Sequence, residues 1–256
     1  MQAEDLLLFA ADAARAMLEN GGETYRAEDV AMGILASQGG MEAECFATST
    51  GLMLSFVGAD GQVRSVVRRI KKRGMNLERV SRIDRMVRDL AADKLGIDEA
   101  SKELDVIERS KDRPLAVKAL ASAAGAGFFT LLFGGIALDA AAAACMGVLI
   151  SLLAVGITRL HLPDFLISLA GGALAAGASL GLHAYGLPID VNIVVIGVIM
   201  LLVPGVAITN AIRDTIAGDL VAGLARGADA FLTAAAISAG AGGAFTLWQL
   251  LQKGGL

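Results

Sequence analysis

The residues best suited to chemistry in this chain sit in one polar stretch flanked by apolar sequence. Residues 204–229 read PGVAITNAIRDTIAGDLVAGLARGAD and carry Asn210, Arg213, Asp214, Asp219 and Arg226. A guanidinium fork can hold a carboxylate through two hydrogen bonds, and an aspartate can take a proton or an ammonium group. Charged groups at membrane depth are costly unless paired or hydrated, so they tend to mark a substrate or ion pathway. Pro204 and Gly205 interrupt the helical pattern just before these charges, and broken membrane helices expose backbone groups that bind ions and anionic substrates. The same spacing also fits an ordinary loop in water, and spacing alone leaves the two open.

A second polar segment lies near the N-terminus, Gly21-Gly22-Glu23-Thr24-Tyr25-Arg26-Ala27-Glu28. The glycines can end one helix, while Glu23, Tyr25, Arg26 and Glu28 form a candidate cytoplasmic-domain motif on the next. Charged residues at these positions equally suit a solvated helix or an interface, and no substrate contact follows from their spacing.

The elements that position these segments follow from the distribution of charge. Of 256 residues, 55% are apolar, and residues 1–113 hold 17 of the 22 Lys and Arg and 20 of the 26 Asp and Glu. After Pro114 the few remaining charges delimit apolar runs. Residues 119–138, 140–158, 165–189, 191–212 and 230–252 each lack Asp, Glu, Lys and Arg over 19 to 25 positions. A helix needs about 20 residues to cross roughly 30 Å of hydrocarbon. The expected fold is therefore a membrane α-helical bundle of about five transmembrane helices (114–256), preceded by a small α+β cytoplasmic domain (1–113). The fourth run is short: Pro204 follows Asp190 by 14 residues, roughly 20 Å of rise.

Arg109, Lys111, Arg113 and Lys118 precede the first run, Arg159 follows the second, and Arg213 and Arg226 separate the fourth from the fifth. The intervening loops, 134–139 and 185–190, have no Lys or Arg. The positive-inside rule then predicts a multi-pass protein of the plasma or inner membrane with a cytoplasmic N-terminus and an external C-terminus. Lys253 is a single contrary charge, and Trp248 can mark that interface. Acidic residues throughout 1–20 argue against a signal peptide. His183 reads as an interfacial residue near the outer end of the third run or as a proton carrier.

In the N-terminal part, Leu6, Leu7, Phe9, Ala10, Ala14, Met17 and Leu18 recur at helical spacing up to Asn20-Gly21-Gly22. A second helix is predicted over 23–38, ending at Gly39-Gly40. Strands are predicted over 44–50, 52–57 and 62–67, with a hairpin turn at 58–61, and amphipathic helices over 77–95 and 97–110. In the spans, abundant Ala and Gly, including Gly177-x-x-x-Gly181, predict close helix packing.

The segment from Gly21 to Glu28 resembles the G-x-E-x-Y-R-x-E motif of the threonine/serine exporter family. Pro204-Gly205, Asn210 to Asp214, Gly218-Asp219 and Gly223 to Arg226 resemble its second motif, in the expected order. The resemblance covers nearly the whole chain, including similarity to split two-component exporters and to the succinate exporter subunit. It implies a secondary exporter subunit for small polar metabolites, threonine- or serine-like amino acids or dicarboxylates such as succinate. A gradient would drive it, with no cofactor. Because the sequence stops at Leu256, where fused members carry a second membrane module, the resemblance also implies a separate small membrane subunit. A homo-oligomer is compatible with this.

Other functions have less support. No P-loop segment occurs, so nucleotide hydrolysis by that mechanism is not expected. Residues 1–113 contain no His, Cys45 lacks an obvious base, and no metal-ligand spacing appears, so neither enzyme chemistry nor a metal is expected. The expected partners are the lipid bilayer, a small polar or anionic metabolite and the second subunit, with no nucleic acid. A membrane-bound enzyme acting through its cytoplasmic domain, or a non-transporting scaffold or regulator, are the alternatives.

Overall fold

A computed structural model describes residues 3–37, 42–58, 60–71, 74–160 and 162–253. The predicted helix stop at Gly39-Gly40 lies outside the described residues. The chain divides into two compact units, one of residues 1–111 with 206–227, the other of 112–205 with 228–256. Residues 206–227 thus cluster with the N-terminal unit although apolar helices surround them in sequence.

The first unit opens with α1 (Ala3–Glu19) and α2 (Thr24–Ala36), followed by β1 (Ala43–Thr48), β2 (Gly51–Val57) and β3 (Val63–Arg69), then α3 (Leu77–Ala91) and α4 (Ile97–Arg109). The strands form an antiparallel meander in the order β1-β2-β3, with Leu54 opposite Cys45 on one side and Val66 on the other. Alternation along β2 sends Leu52, Leu54 and Phe56 into the core. Each contributes about 1.5–3 kcal/mol by leaving water. Helix α1 is the hub of this core. Its alanines at 10, 11, 13, 14 and 16 are buried and let α2, α3, α4 and the sheet approach from several sides.

The α1–α2 turn is set by Gly21, whose φ of +90° suits a residue without Cβ. The Gly22 N–H donates to the Met17 carbonyl at 3.0 Å and the Gly21 N–H to that of Leu18 at 3.2 Å, a Schellman closure. A Cβ on Gly22 would lie 2.7 Å from the Met17 side chain. The turn is therefore tight, and its carbonyls are free to face another element.

The second unit contains α5 (Leu115–Leu132), α6 (Ala137–Arg159), α7 (Phe165–Ala184) and α8 (Val191–Ile199). After α8 come α9 (Gly205–Ile216) and α10 (Leu220–Lys253). Among the described residues four helices are long and apolar enough to cross a membrane: α5, α6, α7 and α10. The fourth apolar run is not one helix. It holds the nine-residue α8 and then α9, because proline at 204 has no N–H to continue the ladder. The secondary structure is otherwise mostly helical with one small sheet, as the sequence led us to expect.

Small residues pack α5 to α8. Gly147 brings α6 so close to α5 that an added Cβ would lie 2.5 Å from the Ser122 carbonyl oxygen, and Ser151 donates to Ser122 at 2.8 Å. Asp139 ties two loops together, accepting from Ile136 N–H and Asp190 N–H, each at 2.9 Å. The His183 ring nitrogen lies 3.2 Å from the Ile189 carbonyl, which fixes its orientation at this end of α7. Gly177 and Gly181, by contrast, meet no neighbour that an added Cβ would touch. The close contacts of α7 are made by Gly172, against the Ile237 carbonyl of α10, and reciprocally by Gly240 of α10 against the Leu169 carbonyl. Gly172→Ala and Gly240→Ala are expected to lower stability in detergent by about 1–3 kcal/mol through overpacking, measured as a fall in melting temperature. Gly177→Ala should melt like the wild type.

Candidate functional site

The α1–α2 turn, the N-terminus of α2, the α9–α10 turn and the first two turns of α10 meet within the first unit. The first amides of any helix lack intrahelical acceptors. Glu23 occupies the N-cap of α2 but makes no side-chain cap. Asp214, far along the chain, takes that role: its Oδ1 accepts from the Thr24 N–H at 3.2 Å and from the Thr24 hydroxyl at 2.8 Å. A carboxylate here also matches the positive end of the helix dipole.

Gly218 returns the chain for a second carboxylate. With φ at +99°, it closes α9 by the same pair of bonds seen at Gly21, including Asp219 N–H to the Asp214 carbonyl at 2.8 Å. Asp219 is thereby set beside Asp214, and its Oδ2 lies 3.0 Å from the Thr24 hydroxyl. Gly223 lets α10 pack on α9, since an added Cβ would lie 2.9 Å from the Ala211 carbonyl.

Two cations and an amide complete the cluster. Arg226 Nη2 donates to the Gly22 carbonyl at 2.7 Å, and its Nε lies 2.9 Å from Asp214 Oδ2. That pair is close in charge but not aligned as a hydrogen bond, although Asp214 is fully buried and Arg226 nearly so. Asn210 donates to the Gly21 carbonyl at 3.0 Å. Arg213 donates to Glu23 Oε1 at 2.7 Å, with the guanidinium side more than half exposed and the carboxylate buried. The carbonyls left free by the glycine turn are what Asn210 and Arg226 grip.

The remaining residues of the first motif face elsewhere. Arg26 bridges Glu23 at 3.5 Å and Asp84 of α3 at 3.2 Å. Glu28 accepts the Ala47 N–H at 2.7 Å and so fixes α2 to β1. Tyr25 is half-buried. Pro204 and Gly205 set the start of α9. Thr24 escaped the sequence reading. Its signal was positional: a hydroxyl residue in the first turn of a helix whose N-cap offers no acceptor.

Burial pushes the Glu23 carboxyl up, but its own backbone hydrogen bond, the bond from Arg213 and the charges of Arg26 and Arg213 outweigh this and hold it below the usual range. Its stabilising contribution is thus present above the unfolded carboxylate pKa and lost as pH falls through the lower folded value. Glu28 behaves oppositely. Burial, with the charges of Asp219 and Asp29, raises it despite the Ala47 N–H bond. The folded protein then holds its proton to higher pH than the unfolded chain does, so a penalty develops as pH rises through that window. Glu28→Gln keeps an oxygen for Ala47 N–H and is expected to raise the melting temperature at pH 7 but not near pH 4. An equal gain at both pH values would show that Glu28 charge is not the cause.

Among the described residues the two carboxylates share one hydroxyl, and the Thr24 hydroxyl hydrogen can serve only one of them at a time. Among the described residues no group of three or more His, Cys, Asp or Glu could hold a metal ion.

Residues 8–248 match the threonine/serine exporter (ThrE) family. The chain belongs to the threonine/serine exporter family. It is therefore a multi-pass membrane protein of an exporter family. A "Probable threonine/serine exporter" of Mycobacterium tuberculosis is 27% identical over 175 residues, covering 66% of this chain and 32% of that protein. The matched region is about a third of that exporter's length. No solved structure matches. In this exporter-family chain, residues from both motifs, with Thr24 and Asp214 190 positions apart, form one hydrogen-bonded network.

Proposed function

We propose that this chain is a subunit of a gradient-driven exporter of small polar metabolites, threonine- or serine-like amino acids or dicarboxylates. Asn210, Arg213, Asp214, Asp219 and Arg226 would serve its substrate or ion pathway. The observation that supports this most is the buried Asp214, placed between Thr24 and Arg226 with Asp219 on the same hydroxyl. In this reading the spare carboxylate capacity takes the coupling cation, and the exposed Arg213 guanidinium attracts a substrate carboxylate.

The path of the chain supports five crossings. Residues 206–227 belong to the same unit as residues 1–111, and in this reading the segment 185–205 returns the chain to the side from which it started. We take α8 and the residues after it as a short fourth crossing and α10 as the fifth. With the N-terminus cytoplasmic, a cytoplasm-active reporter is expected to give signal at Met1, Arg159 and Gly218, and none at Gly135 or Gly186. Signal at Gly186 equal to that at Arg159 would refute this topology.

We further propose that export needs a second membrane subunit. The test is flux of labelled threonine, serine and succinate from proteoliposomes, with and without a candidate partner. Equal flux without the partner would remove the need for it. Turnover of substrate in place of export would favour the enzyme alternative, and no flux in any combination would favour a scaffold.

A further inference from the structure

Glu28 differs from the other carboxylates near Thr24 in what surrounds it. It follows Thr24 by four residues on α2, so the two share a face, and Asp219 reaches that face with its Oδ2 3.0 Å from the Thr24 hydroxyl. Asp214 is held by two donors and the charge of Arg226. Glu28 accepts the Ala47 N–H on Oε1 at 2.7 Å and has, among the described residues, no donor for Oε2. The charges acting on it are Asp219 from the α9–α10 turn and Asp29 beside it on α2, both negative.

This half-buried carboxyl also has a route to solvent. It lines an open cavity of about 560 Å³ between α2 and the sheet, on whose wall the other titratable groups are Asp29, Glu44 and Cys45, with no Lys or Arg among the described residues. Burial first, and then the charge of Glu28, push the Cys45 thiol up to about 12, so it stays neutral and offers no compensating charge. A partly desolvated carboxylate that faces like charges and lacks a cation is relieved by binding a proton.

We propose that Glu28 is the group that takes up the coupling proton of this exporter, onto Oε2, from water that reaches it through the cavity. The inference rests on the exporter reading above and assigns its coupling cation. A proton from water turns the carboxylate into a carboxylic acid, and its return to water restores the charge. Ionised Glu28 repels Asp219, which shares the Thr24 hydroxyl with Asp214, so a proton gained or lost one turn away is felt throughout the network. Burial, with the charges of Asp219 and Asp29, raises Glu28 above the usual carboxylate range and so toward neutral pH.

The test uses the full chain with its candidate partner in proteoliposomes and compares two fluxes of labelled threonine, serine and succinate: exchange between equal pools, and accumulation driven by a pH gradient. Wild-type exchange is expected to fall as pH rises through the Glu28 window. Glu28→Gln is permanently neutral; its exchange is expected to lose that pH dependence and its driven accumulation to disappear, with part of it recovered in Glu28→Asp. Driven accumulation by Glu28→Gln at the wild-type rate overturns the proposal and leaves the exporter reading intact. Equal loss of both fluxes at matched protein levels overturns it in favour of a structural role. Infrared difference spectra of the full chain between low and high pH read the acid without any transport. Because Glu108 is also raised by burial, the component to follow is the carboxylic acid carbonyl band that Glu28→Gln lacks. It is expected to titrate above the usual carboxylate range, and at lower pH in Asp219→Asn. Spectra of wild type and Glu28→Gln that coincide overturn the proposal, whereas the expected band with no flux in any combination supports the proton site and overturns the exporter reading.

Discussion

Replacing Asp214 with asparagine is expected to abolish export. Asparagine can still offer an oxygen to the Thr24 N–H, so the cap of α2 has a partner of similar shape. What is lost is the charge facing Arg226, whose Nε sits 2.9 Å from Oδ2 in a buried setting. Removing one partner of a buried pair costs roughly 3–5 kcal/mol, because the other charge stays behind unpaired. Loss of export could then reflect poor folding alone. Asp214→Asn with Arg226→Gln separates the two: neutralising both partners is expected to restore expression and melting temperature but not flux. Flux near wild type in Asp214→Asn, at matched protein levels and with the partner module present, would remove the carboxylate from the mechanism. Recovery of flux in the double variant would assign Asp214 a purely structural role.

Thr24→Val should have the second-largest effect. Valine matches threonine in shape but has no hydroxyl, so both Asp214 and Asp219 lose their shared donor, and the buried Asp214 keeps the backbone N–H of residue 24 and the charge of Arg226. A buried acceptor left without its partner costs about 1–3 kcal/mol, more where it is charged. Export is expected to fall by at least about tenfold, the factor that corresponds to 1.4 kcal/mol. Thr24→Ser retains the hydroxyl and should export at close to the wild-type rate. Similar loss in both variants would mean that packing of the threonine methyl, rather than the hydroxyl, governs the effect.

Much of the membrane part was legible because charge is decisive in lipid. The intervals between Lys118, Asp139, Arg159 and Asp164 delimit α5 and α6, and α7 begins just after Asp164. The break at Pro204 was legible for the same kind of reason, since proline has only one effect on a helical ladder. In the first unit, the α1 stop at Gly21 and the turn after β2 followed from local backbone preferences. The partnership between α9 and the N-terminus of α2 did not. Residues 204–229 left two readings open, a loop in water or a broken helix in the bilayer, and neither gave its polar side chains a partner in the N-terminal segment. They face the carbonyls of Gly21 and Gly22 and the amide of Thr24 instead. No local pattern carries that information, because the complementarity lies between segments far apart. Gly177 and Gly181 show the opposite case: a spacing that suggests close packing, at positions where an added Cβ would meet no atom within 4 Å among the described residues.

The distance between those segments governs how the chain can be made. The bonds from Thr24 to Asp214 and from Arg226 to Gly22 close over 190 and 204 positions. When the first 111 residues leave the ribosome, Glu23 still lacks Arg213 and the open end of α2 lacks Asp214. Translation at about 5–20 residues per second leaves them so for on the order of ten seconds, while three apolar helices enter the membrane. The nascent N-terminal unit therefore waits, incomplete, for its own last piece. A defect in inserting α5 to α8 would be felt first as misfolding of a domain that contains none of them.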